Sequence, residues 1–449
     1  MKDGRFKDIT LPLEGFKDAI GIDVRTMRFL EMTYASLFSK WGYEEINVPI
    51  VERASSFSEE VIGGSPWPEW DKRGVFYLQL QNYKDSYSDL PVQEPALLVP
   101  EGTISVSRWL ARSYNENNLS QPKKIFYIMP CFRNELTSKL SNTKGREFHQ
   151  AGIEILGTNN VNADLEVLLI AYQGFIEVGV HNDDILVRIG SVSLFNAVCT
   201  ETGMSESDVL IVKDLMDTIA ESRAGKQPER LAPSIEKVTA IVQAYNPSAG
   251  VVAKWGKMTN TYVDTLDTSF ESVIGYDADV KDLNYLASIV REQGLKCVID
   301  PSVVRSHEYY TGIVYEIDIK TQDDGVLVEV AGGGRYNKLI GKFIGDGTQD
   351  ISIPAVGFAY GLERVVAIRK QLNVAELRHE VKSIDIYHGE SVADIVLIAN
   401  EEKHHSKLLA VASSLRKDGN RVDVYVGEDK SDEYLNAYTA NLGAEIQKV

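Results

Sequence analysis

Apolar positions at helical spacing open the chain: Met27, Leu30, Tyr34, Leu37, Phe38 and Trp41 share one face, Asp23 is placed to cap them, and Gly42 closes the helix. A strand follows over Glu45–Val51, and its Pro49 puts it at a sheet edge or an interface. Residues 53–95 are irregular and polar, a cover over a site or a surface insertion. Leu97–Val99 reads as a strand running into Pro100-Glu101-Gly102-Thr103, with a helix over Ser105–Tyr114. Ile125–Met129 and Ile153–Leu156 read as an antiparallel pair joined by a long, polar, basic loop. A helix from Asn162 or Asp164 to about Val178 and a strand over Ile185–Ile189 come next.

Between 205 and 296 the pattern changes to long helical periods without strands; Val280, Leu283, Leu286 and Ile289 mark the last helix and Gly294 ends it. Strands return at Cys297–Ile299, Ile313–Ile317 and Val326–Val330, and the glycine run Gly332-Gly333-Gly334 follows the third. Residues 354–371 join a strand to a helix ending near Gln371. From Asp394 the order is strand Ile395–Ala399, helix Glu402–Lys417, strand Val422–Val426, helix Asp432–Leu442 and the opening of a third strand, a small α/β module with a parallel pair. The expected class is α+β: an antiparallel sheet flanked by helices over 1–194 and 297–372, a helical insertion over 195–296, a linker over 373–392 and an α/β module over 393–449, shortened at its end.

Composition narrows the classes. At 449 residues there is room for two or three domains, and the 44% hydrophobic and 25% charged residues are those of a soluble globular chain. Three scattered cysteines without metal spacing suggest a reducing compartment, and neither a signal peptide nor a membrane span is evident, so the cytoplasm is expected. A net charge of −18 argues against non-specific coating of nucleic acid but leaves room for a local basic site; the 136–146 loop carries Lys139, Lys144 and Arg146.

Chemistry-bearing residues cluster at Phe132–Gly157. Period-2 alternation puts Arg133 and Glu135 on one face of the first strand, and Phe148, Gln150 and Glu154 on one face of the second. A cation, several acceptors and an aromatic plate suit a nucleotide and a small zwitterion; a hairpin with salt-bridged polar residues on its solvated side fits the same residues. Glu101 and Thr103, at a strand-to-helix turn, can accept from an ammonium group or cap the helix. The triple glycine lets another group approach the backbone but lacks the spacing of a phosphate-binding P-loop.

Five segments in order resemble class II aminoacyl-tRNA synthetases, specifically histidyl-tRNA synthetases, over essentially the whole chain. Gly42–Ile46 through Pro49, Phe132-Arg133-Asn134-Glu135 with Phe148, and Gly357-Phe358 through Gly361-Leu362-Glu363-Arg364 resemble the three class II motifs. Arg305–Gly312 and Gly332–Tyr336 resemble the family's two histidine signatures. The resemblance implies a histidine–tRNA ligase, homodimeric and using ATP with Mg²⁺. Arg133 would hold the α-phosphate, Glu135 the adenine amino group, Phe148 the base and Arg364 the γ-phosphate. Glu101, Thr103 and Gln150 would hold the α-amino group, and Glu154 and Tyr310, beside Tyr309, the imidazole. Arg305 would lie against the carboxylate and α-phosphate, and Lys139, Lys144 and Arg146 would meet the acceptor stem of tRNA(His). The chain departs from the family at Val99, where arginine is usual, at Asn134, and at Ser306-His307-Glu308. Two other readings share the motifs: a histidine-binding regulatory subunit of ATP phosphoribosyltransferase, and a paralogue activating an amino acid for another purpose.

Overall fold

A computed structural model describes residues 10–62, 74–78, 95–115, 122–134, 145–305, 309–320, 327–344, 350–371, 394–398, 411–412, 414–418, 420, 422–424, 431–442 and 444–448. Two units make up the chain, Met1–Asp18 with Leu30–Val374, and Ala19–Phe29 with Ala375–Val449.

Helix α1 (Ile22–Lys40) begins one residue before Asp23. Leu30, Tyr34, Leu37 and Phe38 are buried as their spacing predicts. The Tyr34 ring stacks on Tyr360 with centroids 4.3 Å apart, and Phe38 meets Phe126 at 5.5 Å. These contacts seat the helix on the sheet, each aromatic pair adding about 0.5–1.5 kcal/mol beyond the area it buries.

The strand expected over Glu45–Val51 divides into β1 (Glu44–Glu45) and β2 (Val51–Arg53), with Pro49 in the irregular stretch between them. Proline has no N–H to give a ladder, so pairing stops before it and restarts after it in another sheet. β2 joins β3 (Tyr77–Leu78) and β4 (Ala96–Leu98) in a small antiparallel sheet. A four-residue α2 (Glu59–Ile62) lies between β2 and β3, and α3 (Gly102–Asn115) follows β4.

The long strands β5 (Lys123–Phe132) and β6 (Glu147–Leu156) pair antiparallel over their full lengths. Next come α4 (Val161–Glu177) and β7 (Ile185–Ser191). The side chain of Asn160, rather than Asn162 or Asp164, caps α4. Asp164 is instead buried as the partner of Arg335.

Six helices cover 192–292: α5 (Val192–Thr202), α6 (Glu206–Arg223), α7 (Leu231–Ala244), α8 (Ala249–Asn260), α9 (Thr268–Ile274) and α10 (Asp277–Glu292). Within this region Val263 alone, among the described residues, makes a β-bridge, to Ile299. The chain then returns to strands: β8 (Cys297–Ile299), β9 (Ile313–Lys320), β10 (Leu327–Arg335) and β11 (Ala355–Gly361), followed by α11 (Leu362–Gln371).

The main sheet has the order β1-β5-β6-β11-β10-β9-β7-β8. It is antiparallel from β5 through β7 and parallel only where β1 and β8 join its edges. The glycine run lies inside β10 rather than after it, with Gly333 opposite Phe358 and Gly334 opposite Gly357. A Cβ on Gly333 would stand 2.1 Å from the carbonyl oxygen of Gly357, so the close packing of β10 on β11 requires glycine there.

In the second unit, β12 (Ile395–Ile398) pairs in parallel with both β13 (Val422–Val424) and β14 (Glu445–Lys448). Helix α12 (Asp432–Leu442) buries Leu435 against Val396 and Ile398. Most of the helix expected over Glu402–Lys417 lies outside the described residues.

One arginine is fully enclosed by the main sheet. Arg188 on β7 has 0% side-chain exposure and lies 2.6 Å from both Asp318 and Glu316 on β9. Arg188→Met leaves Asp318 without its counter-charge and Glu316 with only Arg305, 3.6 Å away, and costs about 3–5 kcal/mol. Urea unfolding followed by tryptophan fluorescence measures it, and an unshifted midpoint contradicts this account.

Candidate active site

Strand alternation on β6 sends Phe148, Gln150 and Glu154 to one face, and all three line an open cleft of about 1040 Å³, counting the solvent at its mouth. Arg133, at the end of β5, lines it too, as do Glu101 and Thr103 at the start of α3. Arg305, Tyr309 and Tyr310 arrive from the segment between β8 and β9, and Arg364 from α11. Ten residues singled out from sequence, on five segments of the chain, therefore meet at one place.

Glu154 sits at the bottom, 1% exposed, accepting from Thr103 Oγ1 at 3.0 Å and from Tyr336 OH at 2.7 Å. Its strand partner on β11 is Gly357, and a Cβ there would lie 1.6 Å from Glu154 Oε2. Burial pushes the carboxyl up to about 8; the hydrogen bonds from Tyr336 and Thr103 oppose that rise, and nearby Glu101 adds to it.

Glu101 does the capping that its position allows: its two oxygens accept from Thr103 N at 3.0 Å and Ile104 N at 2.9 Å. Each oxygen keeps a second lone pair, and the side chain still borders the cleft. Gln150 Oε1 accepts from Gly102 N at 3.0 Å and from Cys131 Sγ at 3.4 Å, which ties β6 to the start of α3. Val99, where the family pattern has arginine, is fully buried in the core beneath.

On the other side of the cleft, Arg133 donates from Nε to the carbonyl of Pro100 at 3.0 Å and lies 4.9 Å over the Phe148 ring. Arg305 holds a left-handed backbone, φ +50°, which is uncommon for a residue with a side chain. Its Nη1 lies 3.1 Å from Glu329 and 3.6 Å from Glu316, and its buried Nε has no hydrogen-bond partner among the described residues. A Cβ on Gly332 would stand 2.0 Å from Arg305 Nη1, so the glycine makes room for the guanidinium. Burial works against the charge of Arg305, but Tyr310, Glu329 and Glu316 more than restore it. Tyr309 and Tyr310 pack tilted at 4.7 Å.

Glu135, Lys139, Lys144 and Ser306–Glu308 lie outside the described residues. Arg146 does not line the cleft; its Nη1 donates to the carbonyl of Glu14 at 3.0 Å and its backbone N–H to that of Gly15.

The histidyl-tRNA synthetase family model matches residues 92–365. The chain belongs to the histidyl-tRNA synthetase family. Every residue lining the cleft, from Glu101 to Arg364, falls inside the matched span. Histidine–tRNA ligase of Saccharolobus islandicus (strain Y.G.57.14 / Yellowstone #1) is 28% identical over 440 residues, covering 97% of this chain and 89% of that one. Its counterpart from Saccharolobus solfataricus is 27% identical over 436 residues, with the same coverage. Histidyl-tRNA synthetase from Nostoc sp. PCC 7120 shares the fold at a TM-score of 0.69 and 19% identity, over 99% of this chain and 92% of that one. So does a protein described as an ATP phosphoribosyltransferase regulatory subunit/histidyl-tRNA synthetase from Bacillus halodurans C, at 0.71 and 17% over 99% of both chains. The architecture is that of a class II synthetase.

Members of the histidyl-tRNA synthetase family are recognised by their motifs, yet three cleft residues, Tyr336, Glu329 and Glu363, and Glu316 behind the cleft were given no role from sequence. Tyr336 ends the glycine signature and was quoted only as part of it. Glu316, with Asp318, is an acid at period 2 inside an otherwise apolar strand, a signal that was there to read. Glu329 and Glu363 carried no such mark. Glu363 accepts from the backbone N–H of His149 and pairs with its Nδ1, both at 2.9 Å, locking α11 to β6 and raising the imidazole.

The raised Glu154 carboxyl has a thermodynamic consequence. The unfolded chain ionises this group near 4.5 while the fold keeps it protonated to about 8, so its contribution to stability declines as pH rises through that window. Glu154→Gln cannot ionise. Without ligand, its melting temperature relative to the parent protein should rise steadily from pH 5 to pH 8.5; a difference that does not change with pH contradicts the shift.

Proposed function

We propose that this protein is a histidine–tRNA ligase, which joins histidine to ATP as histidyl-adenylate, releases pyrophosphate, and passes the histidyl group to the 3′ end of tRNA(His). The observation that carries this reading is the meeting, in one cleft, of a buried carboxylate and two arginines, Glu154 with Arg305 and Arg364. The names of the relatives support it.

The reaction brings two anions together, because the histidine carboxylate must attack the α-phosphorus in line. That carboxylate is already ionised and needs no general base. Fixed guanidinium groups that screen the approach and stabilise charge on the phosphoryl oxygens are the principal help available. Arg305, with its unpaired Nε, stands where the carboxylate and α-phosphate would meet, Arg133 on the α-phosphate and Arg364 on the γ-phosphate. Phe148 would carry the adenine, with Glu135 on its amino group. Glu101 and Thr103 would receive the α-amino group through their spare acceptor capacity, and Gln150 would do so by giving up its weak contact with the Cys131 thiol. An imidazole N–H would donate to Glu154 beside Tyr310 and Tyr309; an apolar side chain of the same size would leave that acceptor unmet.

No group of three or more His, Cys, Asp or Glu able to hold a metal occurs among the described residues. This suits Mg²⁺ brought in on the nucleotide phosphates, screening their charge, better than a resident ion. Lys139, Lys144 and Arg146 would meet the tRNA acceptor stem, and the second unit would reach the anticodon. The reading includes a homodimer working in the cytoplasm; no described helix is long and apolar enough to cross a membrane.

Histidine-dependent ATP–pyrophosphate exchange is the direct assay, and folded protein that binds both substrates without exchange would leave only the regulatory reading. Arg305→Ala should abolish exchange while changing histidine affinity by less than about tenfold, because its contacts are made in the transition state. Equal losses in binding and exchange contradict that role.

A further inference from the structure

The ion pairs behind the cleft form one alternating row. Arg188 lies 2.6 Å from Asp318 Oδ2 and 2.6 Å from Glu316 Oε2. Glu316 Oε1 is 3.6 Å from Arg305 Nη1, which is itself 3.1 Å from Glu329 Oε1. Arg364 Nη1 donates to the carbonyl of Glu329 at 2.9 Å and stands 3.9 Å from its Oε2. Glu329 thus touches both Arg305 and Arg364.

Its position follows from an irregularity in β10. Glu329 pairs with Asp318 and Ala331 with Ile317, so one extra residue bulges between them. A bulge breaks the alternation and re-aims side chains; here Glu329, Val330 and Ala331 all border the cleft. Burial disfavours the Glu329 anion, yet Arg305, Arg364 and Lys226 outweigh it and hold the carboxyl below its ordinary range.

The two contacts differ in strength. Arg305 is 13% exposed, has Glu316 as a second counter-charge, and sits at hydrogen-bond distance from Glu329. Arg364 is 38% exposed and its carboxylate contact is the long one, so it is the looser of the two.

We propose that Glu329 is a positioning residue that ties Arg305 and Arg364 together, and that incoming nucleotide polyphosphate takes Arg364 from it while Arg305 stays clamped between Glu329 and Glu316. The proposal rests on the reading of Arg305 and Arg364 as phosphate holders. The carboxylate opposes the polyphosphate charge and weakens ATP binding, and in return it orders the guanidinium groups for the chemical step. Removing its charge therefore moves affinity and turnover in opposite senses, which loss of a merely structural contact does not.

The test compares the full-length parent protein with Glu329→Gln, Glu329→Thr as a second neutral variant suited to a strand, and Glu329→Asp as the charge-keeping control. Calorimetric titration with ATP and MgCl₂ gives affinity, and histidine-dependent exchange gives kcat and both KM values. A folded neutral variant should bind ATP at least about threefold tighter, lose about tenfold or more in kcat, and keep its KM for histidine within about twofold. Glu329→Asp should restore ATP affinity to within about twofold of the parent. Unchanged or weaker ATP binding in a folded neutral variant, or unchanged kcat, overturns the proposal. A parent protein that binds ATP without exchange instead refutes the ligase reading, and the calorimetric arm still reports on the tie.

Discussion

Everything in the cleft depends on a carboxylate occupying space that a neighbouring strand gives up. Glu154 lies opposite Gly357 of β11, where a single Cβ would overlap its Oε2, and Tyr336, just past β10, and Thr103 on α3 hold it. Placed at 1% exposure, the group resists ionisation, and the fold bears that cost at neutral pH. A sheet built only for stability would place an apolar side chain there. A polar partner brought to that acceptor would recover part of the cost, and in the proposed ligase a burial penalty would so become selectivity for a ligand with a ring N–H.

The same sheet carries a second concession, a row of arginines and carboxylates from Arg188 to Arg364. Its inner end is a buried network whose members compensate one another, and its outer end borders the cleft. Arg305 occupies the junction, in a left-handed backbone with Gly332 leaving room for its guanidinium. A long, flexible side chain is thereby ordered by the fold alone, and in the proposed reaction that order would remove an entropic cost from the chemical step.

Much of this was legible in the chain. Period-2 alternation placed Phe148, Gln150 and Glu154 on one face, and the strand-to-helix turn placed Glu101 and Thr103. Local spacing could not bring Arg305 and Arg364 to the same site; only the family resemblance did. The β10 bulge stayed hidden because strand pairing, not local sequence, decides where an extra residue is accommodated, so Glu329 went unnoticed. Sequence puts the glycine run after the strand because glycine disfavours strands in isolation, whereas here it lies inside β10 and admits a neighbouring strand and an arginine. Pro49 was rightly read as an edge signal, yet it divided the strand expected around it.

The central claim is that the Glu154 cleft selects histidine for attachment to tRNA. Its most direct test offers the protein ATP, Mg²⁺, total tRNA and each of the twenty labelled amino acids in turn, and counts label precipitated with the RNA. The account predicts ATP-dependent attachment of histidine and of no other amino acid. Attachment of a different amino acid, or none by folded protein that forms adenylate, would contradict it.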